Sequence, residues 1–201
     1  DIVPALFKGG EVPLPWVGAM GVPSRNGLEI MYIVPGSPAY RAGLEPGDII
    51  THVADRETLH LRDIHRHLLD LSPDSLVGFR WIRQGKEMDG LIKLELRPNR
   101  PLEKAIERDI RENLLVPLYG MRAEKSGMAG FEQNYIITRI YSGFTADETG
   151  LSPNDPFSIR DWTIEEDKGY AAVRIRVKKR KAGFIESVIQ LAAYLEPANF
   201  F

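Results

Sequence analysis

Three of the four histidines lie close together in the sequence and could, by residue type, bind a metal ion or transfer a proton. They are His60, His65 and His67, in or beside a stretch with helical periodicity. On a helix, positions 65 and 67 are about 200° apart and face in different directions. No Asp or Glu completes a ligand shell, so we expect no metal and no cofactor. His65 stays a candidate for a pH-sensitive binding residue.

The serines give no sign of a hydrolytic centre. A serine nucleophile needs a histidine that accepts its proton and an acid that orients the histidine. No Gly-x-Ser-x-Gly turn occurs in the sequence, and Ser37 and Ser72 fit turn or cap positions. Lys125 and Ser126 could form a Ser–Lys dyad, but adjacent side chains usually diverge. We therefore expect the chain to catalyse no reaction by itself.

A run of basic residues in the last thirty positions of the chain could contact an anionic surface. It consists of Arg174, Arg176, Lys178, Lys179, Arg180 and Lys181. Such a patch attracts the phosphates of nucleic acids or lipid headgroups. The run alternates with Val173, Ile175 and Val177, which is typical of a half-buried strand, and the acidic residues 165–167 could neutralise it. A solvated hairpin tip is therefore the competing interpretation.

The composition indicates an ordinary globular chain of one to two domains. The 201 residues are 43% hydrophobic, and 26 Lys and Arg against 28 Asp and Glu leave a net charge of −2. This balance excludes a disordered chain and argues against a nucleic-acid partner. The absence of cysteine excludes disulfides, thiolate metal sites and a cysteine nucleophile. Because the sequence begins at Asp1 without a leader, we expect an excised piece or a mature product.

Glycine and proline divide the first half of the chain into short elements. The predicted elements are strands at 28–34 and 49–53, a short helix at 38–42, a longer helix at 61–71, and a hairpin at 77–82 and 91–96. Ser37 is suited to cap the short helix, and Gly43 is suited to end it. Short strands joined by tight turns predict an α+β domain with an antiparallel sheet.

A predicted helix over residues 99–114 separates this block from a second block that repeats it. The helix follows from an apolar stripe formed by Leu102, Ile106, Ile110 and Leu114. In the second block, residues 146–155 parallel residues 39–48, and the strand at 135–140 parallels the strand at 28–34. A tandem duplication is the simplest account.

Spaced motifs in the first block resemble the signature of bacterial PDZ domains. They are Gly36-Ser37-Pro38-Ala39, Ala42-Gly43-Leu44 and Pro46-Gly47-Asp48-Ile49-Ile50. Ahead of them, a further set resembles the segment that joins the protease to the first PDZ domain in HtrA-type serine proteases: Leu6, Gly9, Gly10, Val12, Pro15, Trp16, Val17 and Gly18. The resemblance implies the tandem PDZ part of a trypsin-like, cell-envelope protease, or of a relative that lost catalysis.

The resemblance also implies the domain organisation. We expect an α+β chain of two PDZ-like, partly open antiparallel β-barrels or sandwiches with short helices. The expected parts are a linker from a preceding, absent domain at 1–15, a first PDZ domain at 16–98, a linker helix at 99–114, and a degenerate second PDZ-like domain at 115–201.

Elementary chemistry predicts a peptide groove in the first block as well. An unpaired sheet edge can accept an extended peptide, and a glycine-containing turn can point backbone N–H groups at a terminal carboxylate. The candidate residues are Trp16, Val17, Gly18 and Ala19 for the carboxylate loop, Met20, Gly21 and Val22 for the pairing strand, and Leu61, His65 and Leu68 for the groove face of the helix. Each of the three helix residues could instead face the core, where we expect Ile64 and Leu71.

The second block departs from this pattern. Asp48 to Arg83 spans 36 residues, whereas the counterpart from Asp155 to Lys178 spans 24, so the groove helix is missing. The vestigial loop is Leu118, Tyr119, Gly120 and Met121. Asn154 replaces a turn glycine, which it can do because asparagine tolerates left-handed backbone. We expect this block to serve docking, spacing or oligomer contacts.

Two function hypotheses follow, with a weaker third. In the first, the chain binds unfolded or C-terminal peptides of envelope proteins and regulates or feeds an attached HtrA-like serine protease in the periplasm, with homo-oligomers as an option. In the second, it is a non-catalytic PDZ scaffold of the cell envelope. In the third, the basic hairpin binds an anionic surface. A trypsin-like catalytic domain upstream of Asp1 would separate the first two.

Overall fold

The chain forms two compact units, each with its own sheet and core. The computed structural model describes residues 13–129, 132–180, 184–195 and 199–201. The units meet in sequence between Lys104 and Ala105, and the terminal segment Asn199–Phe201 belongs to the first unit. Most of the expected linker, residues 1–12, lies outside the described residues. Among the helices described, none has the length and apolar character of a membrane span.

The first unit consists of short antiparallel strands with helices packed on them. Its strands are β1 (Pro15–Trp16), β2 (Ala19–Ser24), β3 (Gly27–Ile33), β4 (Ile49–Val53), β5 (Arg56–Glu57), β6 (Leu76–Arg83), β7 (Lys86–Lys93) and β8 (Glu95–Leu96), and its helices are α1 (Pro38–Arg41) and α2 (Leu61–Leu69). The main sheet runs β2-β3-β4-β6-β7, with β5 on β4, and β1 pairs with β8. Strand β2 therefore lies at one edge of the main sheet.

The turn chemistry predicted for this unit is confirmed. Ser37 caps α1, since its Oγ accepts a hydrogen bond from the Tyr40 N–H at 3.3 Å, and Pro38 begins the helix. Gly43 follows the helix with a φ of +76°, a left-handed conformation that glycine adopts without steric cost. Helix α2 ends two residues earlier than the predicted 61–71, because Asp70 caps it.

The single linker helix predicted at 99–114 is wrong, because two helices occupy this stretch. They are α3 (Pro101–Arg108) and α4 (Arg111–Tyr119). Ile110 breaks the run with an extended ψ of 149°, and its side chain is 58% exposed instead of joining an apolar stripe. Asp109 stabilises the break, since its Oδ1 accepts hydrogen bonds from the Ile110 N–H and the Asn113 amide, each at 2.8 Å.

The second unit is an antiparallel sheet of longer strands. After α4 come β9 (Met121–Ala129), β10 (Glu132–Ile140), α5 (Thr145–Glu148), β11 (Pro156–Glu165), β12 (Tyr170–Arg180) and β13 (Phe184–Tyr194). The strand order is β13-β12-β11-β10-β9. All of residues 156–180 are described, and they form β11, a single 3-10 turn at Glu166–Lys168, and β12. Strand therefore occupies the stretch where the first unit has α2.

Matching backbone hydrogen bonds confirm the predicted tandem repeat. The Gly18 carbonyl accepts from the Val34 N–H at 2.9 Å, and the Gly120 carbonyl accepts from the Tyr141 N–H at 2.8 Å. Three further pairs of N–H to carbonyl bonds match between the units. The bond from Leu44 to Ala39 corresponds to that from Leu151 to Ala146, and the bond from Gly47 to Ile30 corresponds to that from Asn154 to Ile137. The bond from Ile30 to Asp48 corresponds to that from Ile137 to Asp155. Asn154 has a φ of +72°, the left-handed geometry expected of it.

The predicted α+β class is confirmed. Helices in both units are short, and the sheets are mostly antiparallel and end at free edges instead of closing into barrels. The first core brings together α2 with the inner faces of β3, β4 and β6, and includes Leu28, Ile50, Ile64 and Phe79. An open antiparallel sheet leaves edge strands available for pairing.

Candidate functional site: the edge of β2

The edge of β2 carries the terminal segment of the chain as an additional antiparallel strand. The Phe201 N–H donates to the Ala19 carbonyl at 3.0 Å. Two residues further along β2, the Gly21 N–H donates to the Asn199 carbonyl at 3.2 Å. These bonds satisfy the outward-facing groups of β2 with peptide backbone, which is the geometry of strand addition.

The turn before β2 holds the last oxygen of this segment. The Gly18 N–H and the Ala19 N–H both donate to the Phe201 oxygen, at 2.9 and 3.3 Å. Two successive N–H groups converging on one oxygen form an anion-binding turn.

Gly18 is required for this turn by both its conformation and its surroundings. Its φ is +84°, and a Cβ at this position would lie 2.2 Å from the Ser37 Cβ. The Ser37 hydroxyl is fully buried and donates to the Gly18 carbonyl at 3.2 Å, while the Ala39 N–H donates to the Val17 carbonyl at 2.8 Å. Helix α1 and its cap thus hold the turn from behind.

Both terminal phenylalanines are buried in the first unit. Phe201 is 1% exposed and belongs to the same hydrophobic cluster as Val17, Leu28 and Leu68. Phe200 is fully buried and meets the Tyr32 ring edge to face, with centroids 6.5 Å apart at 87°. Full burial of a phenylalanine side chain stabilises by about 1.5–3 kcal/mol.

Helix α2 lies against the other side of the segment. The His65 Nε2 is 3.0 Å from the Phe200 carbonyl oxygen and donates to it in the tautomer that carries the proton on Nε2. Leu68 is 3% exposed and belongs to the core cluster, and Leu61 is partly buried against it. The predicted groove face of α2 therefore divides, because His65 contacts the segment while Leu68 is part of the core around Phe201.

The start of α2 is fixed by a carboxylate. Asp63 Oδ2 accepts from the backbone N–H groups of His60 and Leu59, at 2.8 and 3.2 Å. The hydrogen bond from the His60 N–H is the main reason that the pKa of Asp63 lies below its ordinary value, although burial opposes the shift. A negative charge is favourable here because the exposed N–H groups of a helix start carry partial positive charge.

Two residues of the predicted carboxylate loop have other roles. Trp16 lies in β1 opposite Glu95 and is 3% exposed, and the Val17 side chain is fully buried in the core instead of forming a rim. The loop proper is the backbone of Gly18 and Ala19. Along the predicted pairing strand, Met20 lies opposite Phe200, as an isolated bridge.

Val22 lies further along β2 than the residues opposite the terminal segment. It is half-buried and pairs with Glu29 of β3. Gly21 is the position that contacts the segment closely, since a Cβ there would lie 2.5 Å from Leu28 Cδ2 and 3.3 Å from Phe201 Cε1. Glycine at position 21 therefore leaves room for a large terminal side chain.

The equivalent turn of the second unit is the end of a helix. Leu118 and Tyr119 belong to α4, Gly120 caps it with a φ of +69°, and Met121 begins β9. The Gly120 N–H, which corresponds to the Gly18 N–H, donates to the Val116 carbonyl at 2.9 Å. The prediction of a loop at these residues is therefore wrong, because α4 extends to Tyr119 and the Gly120 N–H is hydrogen-bonded within the end of that helix.

The space at the second turn is also filled. A Cβ on Gly120 would lie 2.3 Å from the Phe144 Cβ, and Phe144 stands where Ser37 stands in the first unit. Tyr119 is fully buried with its ring edge against Trp162, at a centroid distance of 5.8 Å. Burial raises the pKa of Tyr119. This turn is built as a packed core position.

The other candidate residues have structural partners. Within the described residues, no cluster of three or more metal-ligating side chains occurs. His67 Nε2 is 3.0 Å from the Glu57 carbonyl oxygen, away from His65. Lys125 lies 3.5 Å from Glu112 rather than activating Ser126.

Two residues of the basic hairpin form ion pairs, with other acids than expected. Arg174 pairs with Asp161 at 2.8 Å, and Arg176 pairs with Glu186 at 3.0 Å. Glu165, in the acidic group 165–167, pairs instead with Lys168 at 2.5 Å. As predicted, the alternate residues Val173, Ile175 and Val177 are buried. Lys181 lies outside the described residues.

Sequence reasoning missed the terminal segment as a part of this site. Asn199–Phe201 follows the second block, and its contact with Gly18 closes a separation of more than 180 residues. The available signal was a pair of phenylalanines at the last two positions, which no predicted element needed. Their chemistry is that of a C-terminal apolar peptide.

Comparison with known families accounts for both units. Residues 102–195 match the TP0546 family PDZ domain, and residues 29–77 match a PDZ domain family. The chain therefore contains two PDZ domains in tandem.

Relatives in sequence give the wider family. A probable periplasmic serine endoprotease DegP-like of Marinomonas sp. (strain MWYL1) is 26% identical over 167 residues, covering 77% of this chain and 35% of the relative. A probable periplasmic serine protease do/HhoA-like of Haemophilus influenzae is 26% identical over 149 residues, covering 74% of this chain and 30% of the relative. A solved HtrA3 PDZ domain bound to a phage-derived ligand (FGRWV) aligns with 41% of this chain and 86% of its own length, at 22% identity and a TM-score of 0.37.

The part of the chain with two PDZ domains is thus similar to the PDZ region of HtrA/DegP serine proteases. The chain spans about a third of the length of the relatives that it matches.

Proposed function

We propose that the first PDZ domain binds the C-termini of peptides by strand addition to β2, with the terminal carboxylate held by the N–H groups of Gly18 and Ala19. The observation that carries this proposal is a peptide segment that pairs with β2 and whose Phe201 oxygen accepts from both N–H groups, at 2.9 and 3.3 Å. An incoming peptide would use the same donors, with His65 of α2 on its penultimate carbonyl.

Binding of moderate strength is expected. Each backbone hydrogen bond contributes about 1 kcal/mol, and one buried apolar side chain contributes about 1.5–3 kcal/mol. Association costs several kcal/mol of translational and rotational freedom, so the dissociation constant falls in about the micromolar range. Such affinity suits a domain that samples many peptide termini and releases them.

The partners we propose are unfolded or C-terminal peptides of envelope proteins. The relatives above are named periplasmic proteases, which supports a periplasmic or cell-envelope location for this chain as well. The family also supports a trypsin-like protease domain as the attached partner, to which peptide binding would deliver substrates or a regulatory signal. Homo-oligomers would add avidity to weak binding by single grooves.

We assign no peptide groove to the second domain in this proposal. The Gly120 N–H is engaged by Val116, and β11 and β12 occupy the stretch where α2 stands in the first domain. A strand-rich surface without a groove suits docking or spacing. A non-catalytic scaffold of the cell envelope would use the same groove without a protease, and a parent protein without catalytic His, Asp and Ser would favour it.

The direct test uses a peptide with the sequence of residues 192–201, labelled at its N-terminus, and the full chain with Phe200→Ser and Phe201→Ser. This variant, called the open-groove variant below, removes the side chains that fill the site. Fluorescence anisotropy should give a micromolar dissociation constant for the free-carboxylate peptide, and binding at least about tenfold weaker for its C-terminal amide, since the amide removes a charge-assisted hydrogen bond. Equal binding of acid and amide, or no binding of either, would contradict the proposal.

A further inference from the structure

We infer that Asn199–Phe201 is the resident ligand of the first PDZ domain, so that any other peptide binds only by displacing this segment of the chain. This inference rests on the proposed function of the β2 edge. It adds that the groove is occupied in the resting chain and that the occupant is encoded in the same sequence.

The first argument is that the segment occupies several hydrogen-bonding groups of the groove at once. The Phe201 oxygen accepts hydrogen bonds from the N–H groups of Gly18 and Ala19, and the Phe201 N–H donates to the Ala19 carbonyl. The Asn199 carbonyl also accepts a hydrogen bond from the Gly21 N–H. An external peptide that used these donors would find none of them free.

The second argument is direction. The segment runs antiparallel to β2, with Met20 opposite Phe200 and the last oxygen at the turn. A segment passing by accident could pair in either direction and at any register. Only one direction and one register bring the Phe201 oxygen to the two converging N–H groups.

The third argument is burial. Phe200 and Phe201 are 0% and 1% exposed, and Phe201 lies in the cluster that forms the core of the first unit. Gly21 leaves the space that the Phe201 ring occupies, with a Cβ position 3.3 Å from its Cε1. A segment that contributes two fully buried aromatic side chains is held by more than its backbone hydrogen bonds.

The competition can be estimated from the linkage between the two peptides. A ligand carried on the same chain acts at an effective concentration of about 1 mM when the connection is flexible. If its intrinsic dissociation constant is about 10 μM, the fraction of open groove is about one in a hundred, and an external peptide binds about 100-fold more weakly than to the empty groove. Resident occupancy therefore sets a threshold that only abundant or tighter peptides pass.

The test compares the wild-type chain with the open-groove variant, using the labelled peptide of residues 192–201. The variant should bind it about 100-fold more tightly than the wild type, as the competition estimate requires. A control with Leu76→Ser and Leu91→Ser, two exposed leucines of β6 and β7, should match the wild type.

A second measurement reports on the resident segment without any added peptide. Amide hydrogen exchange should show protection of the Phe201 and Gly21 N–H groups in the wild type, and loss of protection at Gly21 in the open-groove variant. Protection that survives dilution indicates docking within one chain, whereas protection lost on dilution indicates docking onto a second copy. The first outcome supports the inference, and the second overturns it in favour of a chain-to-chain contact.

The remaining outcomes separate the inference from the proposed function. Equal affinity of the wild type and the open-groove variant, or rapid exchange at Phe201 in the wild type, overturns the resident ligand and leaves peptide binding intact. An open-groove variant that binds no peptide overturns the proposed function. If the open-groove variant binds no peptide while the Phe201 N–H stays protected in the wild type, the contact of Asn199–Phe201 with β2 is purely structural. The inference then fails together with the proposed function.

Discussion

At the scale of single residues, the site depends on the backbone of Gly18 and on the side chains that hold it. Ser37 serves two elements, because its Oγ caps α1 and donates to the Gly18 carbonyl. Its full burial leaves no room for a side chain at position 18. The turn is thus pre-formed, so a peptide that used its N–H groups would not have to order it on binding.

Gly18→Ala should damage both the fold and the site. The positive φ costs about 1–2 kcal/mol for alanine, and the contact with Ser37 adds about 1–3 kcal/mol of overpacking. The matched control is Gly43→Ala, which has a φ of +76° with nothing within 4 Å of its Cβ position and therefore carries the conformational cost alone. Urea unfolding of both variants measures the difference, and equal destabilisation would contradict the packing argument.

His65→Ala should weaken peptide binding without a matching loss of stability. It removes one hydrogen bond to a peptide carbonyl, worth about 0.5–1.5 kcal/mol, which corresponds to about a two- to tenfold weaker affinity. His67→Ala is the control, because His67 lies on the same helix but contacts the Glu57 carbonyl instead. Anisotropy titrations should be made in the open-groove background, and an equal effect of the two variants would argue against His65 as a groove contact.

At the scale of elements, the site is an edge strand and a helix that face each other across a peptide. Strand β2 is available because the main sheet ends there. Helix α2 is placed by Ile64 and Leu68, which belong to the core, and its start is fixed by Asp63. The stability of α2 therefore bears directly on the groove.

Asp63→Asn should lower the free energy of unfolding at neutral pH by about 0.5–1.5 kcal/mol, as loss of a charged helix cap does. Because the folded-state pKa of Asp63 lies below its ordinary 3.8, this stabilisation is complete above that value and is lost as the pH falls through the folded-state pKa. The difference in the free energy of unfolding between wild type and variant should thus disappear at acidic pH. Asp70→Asn, at the exposed other end of α2, is the control for denaturant unfolding across pH, and a difference for Asp63→Asn that did not depend on pH would contradict the argument.

The second domain shows how a neighbouring element can remove a site while the motif remains. Gly120 keeps the left-handed conformation and the hydrogen bond pattern of Gly18. Helix α4 runs directly into it, however, and satisfies its N–H with Val116. The same residue type thus ends a helix in one domain and donates to the Phe201 oxygen in the other.

At the scale of the whole molecule, the chain has two PDZ domains that differ in the elements around the turn and the edge strand. The first domain has an edge strand, a donor turn and a facing helix, and the second has a sheet with packed counterparts at the turn. The terminal segment, which follows the second domain in sequence, belongs to the first unit. The proposed peptide binding and its competition with Asn199–Phe201 would therefore both take place in the first domain.

The open-groove variant should bind one peptide per chain, although the chain carries two PDZ domains. The reason is that the donor of the second turn is already bonded within α4. Isothermal titration calorimetry with the free-carboxylate peptide measures the stoichiometry. A value of two would show that the second domain binds as well, and repeating the titration after Gly18→Ala would reveal which site remains.

The sequence by itself determined the local structure and the repeat. The cap at Ser37, the left-handed turns at Gly43 and Asn154, and the loop glycine at position 18 follow from residue type, because each depends on backbone conformations that few side chains allow. Those positions were enough to predict two related domains and a carboxylate turn in the first.

Only the tertiary structure decided what each element contacts. A four-residue stripe predicted one helix over 99–114, but Asp109 competes for the backbone at Ile110 and splits it. The loop expected at Gly120 became a helix end, and the groove proved to hold Asn199–Phe201. Contacts between residues far apart in sequence depend on packing and edge availability across the fold, and no spacing rule within a short window contains that information.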